Sequence, residues 1–124
     1  MRTSKPPVRI LPMITEQLDI LMVEDDSEQS GMILDTARVC QSPIRWEVVD
    51  DGEKALAFLR GQGAYALRTR PGLVLLDLHL PKLDGVDVLR TIKAHAELRS
   101  LPVIIMSSSR EQADIEAAYA LGAN

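Results

Sequence analysis

Leu73-Val74-Leu75-Leu76-Asp77 is the stretch that decides the fold: a continuous apolar run that ends on a carboxylate. A short apolar run without alternation reads as a strand of a sheet covered on both faces, the habit of parallel strands. Pro71-Gly72 ahead of it is a turn signal. Behind it, Leu78-His79-Leu80-Pro81-Lys82-Leu83-Asp84-Gly85 is too broken for either regular element.

The same grammar recurs on either side. Ile20-Leu21-Met22-Val23 is apolar and stops abruptly at Glu24-Asp25-Asp26, and Pro102-Val103-Ile104-Ile105-Met106 stops at Ser107. Trp46-Glu47-Val48-Val49 reads as a further, shorter strand. Helical stretches fall between the strands. The first runs from Ser27 to Cys40, with Met32, Ile33, Thr36 and Cys40 as its expected inward stripe. Asp51-Gly52 is a turn, after which Ala55, Leu56 and Leu59 give a short helix ending near Gly61 or Gly63. Val86, Leu89, Ile92 and Lys93 mark a third helix with Asp84 as its N-cap. The last covers about Gln112 to Leu121, with Ser109 and Gln112 at capping-box spacing and Gly122 as the stop. The order β-α-β-α-β-α-β-α, with right-handed crossovers, predicts an α/β fold with a doubly wound parallel sheet.

Composition agrees. The 124 residues are sized for one domain, 46% hydrophobic and 26% charged, within the ordinary globular range. Aromatics are only 3%, so the core must be aliphatic. Residues 1–17, with Pro6, Pro7 and Pro12, read as an arm, and residues 18–124 as the domain. A net charge of −4 and a scattered basic set, whose densest group (Arg60, Arg68, Arg70) spans a loop, argue against nucleic-acid binding. The lone Cys40 fits a reducing compartment, and no run approaches the ~20 apolar residues that span a bilayer. A cytoplasmic location is expected.

In a doubly wound sheet, residues beyond the carboxyl ends of the strands converge where strand order reverses. Glu24 and Asp25 follow the first strand, Asp77 the third and Ser107 the fourth. Neighbouring first and third strands would crowd three carboxylates, which raise one another's pKa unless a cation joins them. Oxygen ligands suit Mg²⁺ or Mn²⁺ better than Zn²⁺. An aspartate is a competent nucleophile toward an activated phosphoryl donor, and Ser107 has a hydroxyl to place against the phosphoryl oxygens; alternatively that hydroxyl satisfies a strand-end backbone group. Asp26 reads as a helix cap and Asp51 as a turn residue. His79 is either a neighbour of the hydrolytic water or an exposed loop residue. His95 reads as a structural residue near the end of the third helix, where a cationic side chain suits the dipole, Cys40 and Met106 are core fillers, and Arg110 and Glu111 lie on the solvent side.

With those residues in place, the chain resembles the receiver domain of two-component response regulators over residues 18 to 124. The resemblance rests on Leu21-Met22-Val23-Glu24-Asp25-Asp26, on Leu75 through Gly85, and on Leu101 through Ser109. Asp114-Ile115 and Tyr119 through Asn124 further resemble the single-domain regulators that serve bacterial phytochrome-type histidine kinases. The resemblance implies a flavodoxin-like topology and a partner kinase whose phosphohistidine donates to Asp77. It implies Mg²⁺ bound by Asp25, Asp77 and the backbone carbonyl of His79, with Glu24 helping through water, and a Ser107 that shifts toward the phosphoryl group and passes the change to the surface around the fourth helix. Output through protein contact follows. His79 stands where relatives carry Asn or Met, so their dephosphorylation rate does not transfer. Family members continue into a fifth strand, an aromatic switch residue, a Lys-Pro pair and a fifth helix, which lie beyond Gly122-Ala123-Asn124. The expectation is a chain truncated there, being part of a longer protein, completed by a homodimer partner, or degenerate, in that order.

Other readings are a small Mg²⁺-dependent aspartyl-phosphate phosphohydrolase and a phosphorylation-independent interaction module. Against the hydrolase, His79 occupies the place of a general acid and there is no cap domain. Enzyme status stays open, as a phosphoacceptor with autodephosphorylation rather than a multiple-turnover enzyme.

Overall fold

A computed structural model of the protein describes residues 18–40, 43–66, 69–106 and 112–124. Its elements are β1 (Leu18–Val23), α1 (Ser27–Cys40), β2 (Ile44–Val49), α2 (Gly52–Arg60), a single 3₁₀ turn (Gly63–Tyr65), β3 (Leu73–Leu76), α3 (Gly85–Ala94), β4 (Val103–Ile105) and α4 (Gln112–Ala120). The strands form one sheet in the order β2-β1-β3-β4, and every pairing is parallel. The predicted doubly wound α/β fold is what these residues adopt. Among the described residues the sheet has four strands, and no helix is long and apolar enough to cross a membrane. The arm at residues 1–17, the capping pair's Ser109, and Arg110 and Glu111 lie outside the described residues.

Side chains alternate between the faces of a strand, and the two faces are covered unequally. Leu21, Val23, Val74, Leu76 and Val103 point into one cluster with Ala55, Leu56, Phe58 and Leu59 of α2, Val88, Leu89 and Ile92 of α3, and Ala118 of α4. Ile20 and Met22, on the other face, are buried, yet Ile104 is 40% exposed and Leu73 and Leu75 are half-buried. Complete coverage of both faces is therefore not found among the described residues.

The helix on that thinner face also departs from expectation. Met32 is 69% exposed and Thr36 is exposed as well, whereas Ser30 is the buried position of α1 among the described residues. Apolar residues in α1 occur on several faces, so spacing alone did not select the inward one. Met106 is half-buried rather than a core filler; the side chain of Cys40 is not among those described.

Caps follow the chemistry more closely. Asp26 Oδ1 accepts from the N–H of Glu28 at 2.9 Å and of Gln29 at 3.3 Å, capping α1 as predicted. Asp51 proves to be more than a turn residue: its Oδ1 accepts from Lys54 N at 2.7 Å and starts α2. Gly61, with φ 65°, ends that helix in the left-handed conformation. Asp84 stands at the N-cap position of α3, but its side chain makes no capping hydrogen bond. His95 ends α3, and its Nδ1 accepts from Glu97 N at 3.2 Å. His95 thus has a structural place at the helix end, as the sequence suggested.

Candidate functional site

β1 leads through α1 to β2 on one side, while β3 leads through α3 to β4 on the other. Strand order thus reverses between β1 and β3, whose residues Val23 and Leu76 are directly paired. The residues that follow them are held by continued ladder bonds: Asp77 N donates to Val23 O and Glu24 N to Val49 O, both at 3.0 Å. This fixes the acids at the carboxyl edge before any ligand is considered.

Ligand atoms of Glu24, Asp25 and Asp77 all lie within 4.8 Å of one another. The predicted convergence is observed. Asp25 is exposed, whereas Glu24 is 3% exposed and Asp77 5%. Glu24 Oε2 accepts from Asp26 N at 3.2 Å; Oε1 is sealed from solvent without a hydrogen-bond donor among the described residues. Burial pushes the Glu24 carboxyl up to about 7, opposed by the Asp26 N–H and reinforced by the Asp77 carboxylate. The sequence led us to expect mutual repulsion as the main cause; loss of hydration is larger, because the Glu24 side chain is almost wholly buried.

These features match a hard divalent cation. The donor set is all oxygen, two of its three carboxylates are sunk in a low-dielectric edge, and one buried oxygen has no donor.

Around Asp77 the backbone is tightly organised. His79 N donates to Asp77 Oδ1 at 3.0 Å, which orients the carboxylate, while the His79 side chain is exposed. Gly85 N donates to Leu78 O at 2.9 Å. A Cβ on Gly85 would lie 2.3 Å from the carbonyl oxygen of Asp77 and 2.5 Å from Leu78 Cα, so only glycine lets α3 start this close to the Asp77-Leu78 backbone. Asp84-Gly85 was legible as a loop end; its role as a spacer against Asp77 was not. Ser107 lies outside the described residues, although Met106 N, immediately before it, donates to Leu76 O at 3.1 Å beside the acid cluster.

The family described as response regulator receiver domain matches residues 20–124, and the chain belongs to that family. It is 38% identical over 105 residues to the response regulator Rcp1 of Synechocystis sp., covering 85% of this chain and 71% of that protein. Among solved structures it resembles the phosphorylated cyanobacterial phytochrome response regulator RcpA, with a TM-score of 0.84 and 38% identity over 88% of this chain and 78% of that one. The Mn²⁺-bound form of Rcp1 gives a TM-score of 0.83 and 37% identity over 86% of this chain and 77% of that one. The chain is thus a phosphoacceptor signalling domain of a two-component system, and this favours the signalling reading over the phosphohydrolase.

Proposed function

We propose that Asp77 accepts a phosphoryl group from the phosphohistidine of a sensor histidine kinase, one of the phytochrome type, in a Mg²⁺-dependent transfer whose output runs through protein contacts in the cytoplasm. Residues 18–124 are the functional unit. The observation that carries this reading is the meeting of Glu24, Asp25 and Asp77 within 4.8 Å at the strand-order reversal of a receiver domain. The likeness to phytochrome response regulators supports the choice of kinase.

A carboxylate oxygen of Asp77 attacks phosphorus and the P–N bond to the kinase imidazole breaks, its electron pair returning to that nitrogen, so that with the other ring nitrogen protonated a neutral imidazole leaves. The His79 N–H holds Asp77 Oδ1, so the nucleophile is oriented before the donor arrives. Asp25, Asp77 and the His79 carbonyl would hold Mg²⁺ (or Mn²⁺), with Glu24 acting through water. A cation bound there supplies the positive charge that the carboxylates and the phosphoryl oxygens share. Ser107 is assigned the hydroxyl that donates to a phosphoryl oxygen.

Acetyl phosphate with Mg²⁺, or a phosphorylated kinase, should add the mass of one phosphoryl group, and Asp77→Asn should abolish the gain. An adduct that persists in Asp77→Asn refutes the assignment.

A further inference from the structure

Lys82 adopts φ 67°, and it is the non-glycine residue with positive φ among the described residues. Leu83 N donates to Pro81 O at 2.8 Å, closing a three-residue γ-turn with Lys82 at its centre. Such a turn is strained for any residue with a Cβ, and glycine would fit it without penalty. A lysine there calls for a compensating contact.

The contact runs to the neighbouring strand end. Lys82 Nζ lies 3.6 Å from Asp51 Oδ2; the Lys82 side chain is 59% exposed and reaches in from solvent to an Asp51 side chain that is only 6% exposed. The other oxygen of Asp51 caps α2 through Lys54 N. Lys54 spends its own ammonium on Asp50, at 2.8 Å. Beside this pair, a Cβ on Gly52 would meet Leu83 O at 2.2 Å and Leu83 Cβ at 2.7 Å, so the first residue of α2 is pressed against the γ-turn. Gly85 is pressed in the same way against the Asp77 carbonyl. The segment from Asp77 to Gly85 is therefore held at both ends, with Lys82 as its electrostatic tie to α2.

We propose that Lys82, through Asp51, is a positioning residue for the acid cluster: the pair locks the γ-turn onto the N-terminus of α2 and so fixes where Asp77 and the His79 carbonyl stand. This rests on the assignment of Asp77 as the phosphoacceptor. The ammonium acts on buried Asp51 and not on the transferred group, and supporting residues of this kind set the geometry of metal ligands.

The test uses the full chain, with Mg²⁺ affinity from calorimetry and phosphorylation by acetyl phosphate at saturating Mg²⁺ from intact mass. Asn caps a helix as well as Asp does, so Asp51→Asn removes the charge and keeps the cap. Lys82→Met and Asp51→Asn are each expected to weaken Mg²⁺ binding about tenfold and to slow transfer. The double variant should be no worse than either single one, and Lys82→Arg should recover most of the loss. Lys82→Gly is decisive, because it relieves the strained φ and removes the tie. A merely conformational role predicts wild-type behaviour in Lys82→Gly, whereas the tie predicts the loss seen in Lys82→Met. Unchanged affinity in Lys82→Gly, or multiplying effects in the double variant, overturns the proposal. Slow transfer in Lys82→Met with normal transfer in Asp51→Asn also overturns it, by putting the ammonium on the phosphoryl group itself. Failure of the wild-type chain to bind Mg²⁺ or accept phosphate would instead refute the Asp77 assignment, and this inference with it.

Discussion

Glu24 and Asp51 leave adjacent parallel strands at the same edge of the sheet, and both are nearly sealed from water, at 3% and 4% exposure. Their surroundings are opposite. Asp51 has a helix N-terminus on one oxygen and the Lys82 ammonium near the other. Glu24 has one N–H on Oε2, no donor on Oε1, and two carboxylates as neighbours. Burial by itself therefore does not mark an ion-binding acid. What separates the two is whether the fold supplies the compensating charge or leaves it to a ligand.

The sharpest way to break the comparison is Gly85→Ala. The new methyl would overlap the backbone of Asp77 and Leu78, which has no flexible end to yield. We expect a loss of about 3 kcal/mol in denaturant unfolding, with Mg²⁺ binding lost as Asp77 is displaced. Wild-type stability with intact binding would show that α3 can retreat at no cost to the site.

A smaller effect separates the acids by pH. The Glu24 carboxyl has an ordinary value of 4.5 and stands at about 7 in the fold. Below 4.5 it is protonated in both folded and unfolded chains and contributes nothing. As pH rises from 4.5 to 7 the unfolded chain ionises first, so this group lowers stability across that window and the deficit then stays constant. Metal-free Glu24→Gln should accordingly be more stable than wild type above that window by on the order of 2 kcal/mol, and equal to it at low pH. Saturating Mg²⁺ should stabilise the wild-type chain and narrow the difference. A pH-independent gap between the two proteins, measured by urea unfolding, would contradict the electrostatic account of Glu24.

The smallest change is expected on the satisfied side. Asp51→Ala removes the cap of α2 and should cost about 1 kcal/mol, a loss that Mg²⁺ does not specifically repair. If added Mg²⁺ restored Asp51→Ala fully, Asp51 would belong with the ion-binding acids and the distinction drawn above would fail.

Much of this edge could be read from residue order. Apolar runs that stop on an acid placed Glu24, Asp25 and Asp77 at strand ends, and the parallel sheet followed from the lack of alternation. Asp26 was recognisable as a cap because it precedes Ser27 and a helical stretch. Residue order decides less where a side chain has several possible neighbours. Met32 and Thr36 fit an inward stripe by spacing and face outward, because α1 carries apolar residues around more than one face. Asp84 occupies the cap position without using its side chain.

By itself, residue order determined the α/β class, the strands, and the carboxylates that leave them, since periodicity and abrupt polarity changes are local properties of the chain. Only the folded structure decided that Glu24 is the submerged member of the cluster, that desolvation outweighs repulsion there, and that Lys82 reaches across to Asp51. Those outcomes depend on which segments lie within a few ångströms and on how much water they exclude. Neither quantity exists until the strands have paired and the helices have closed over them.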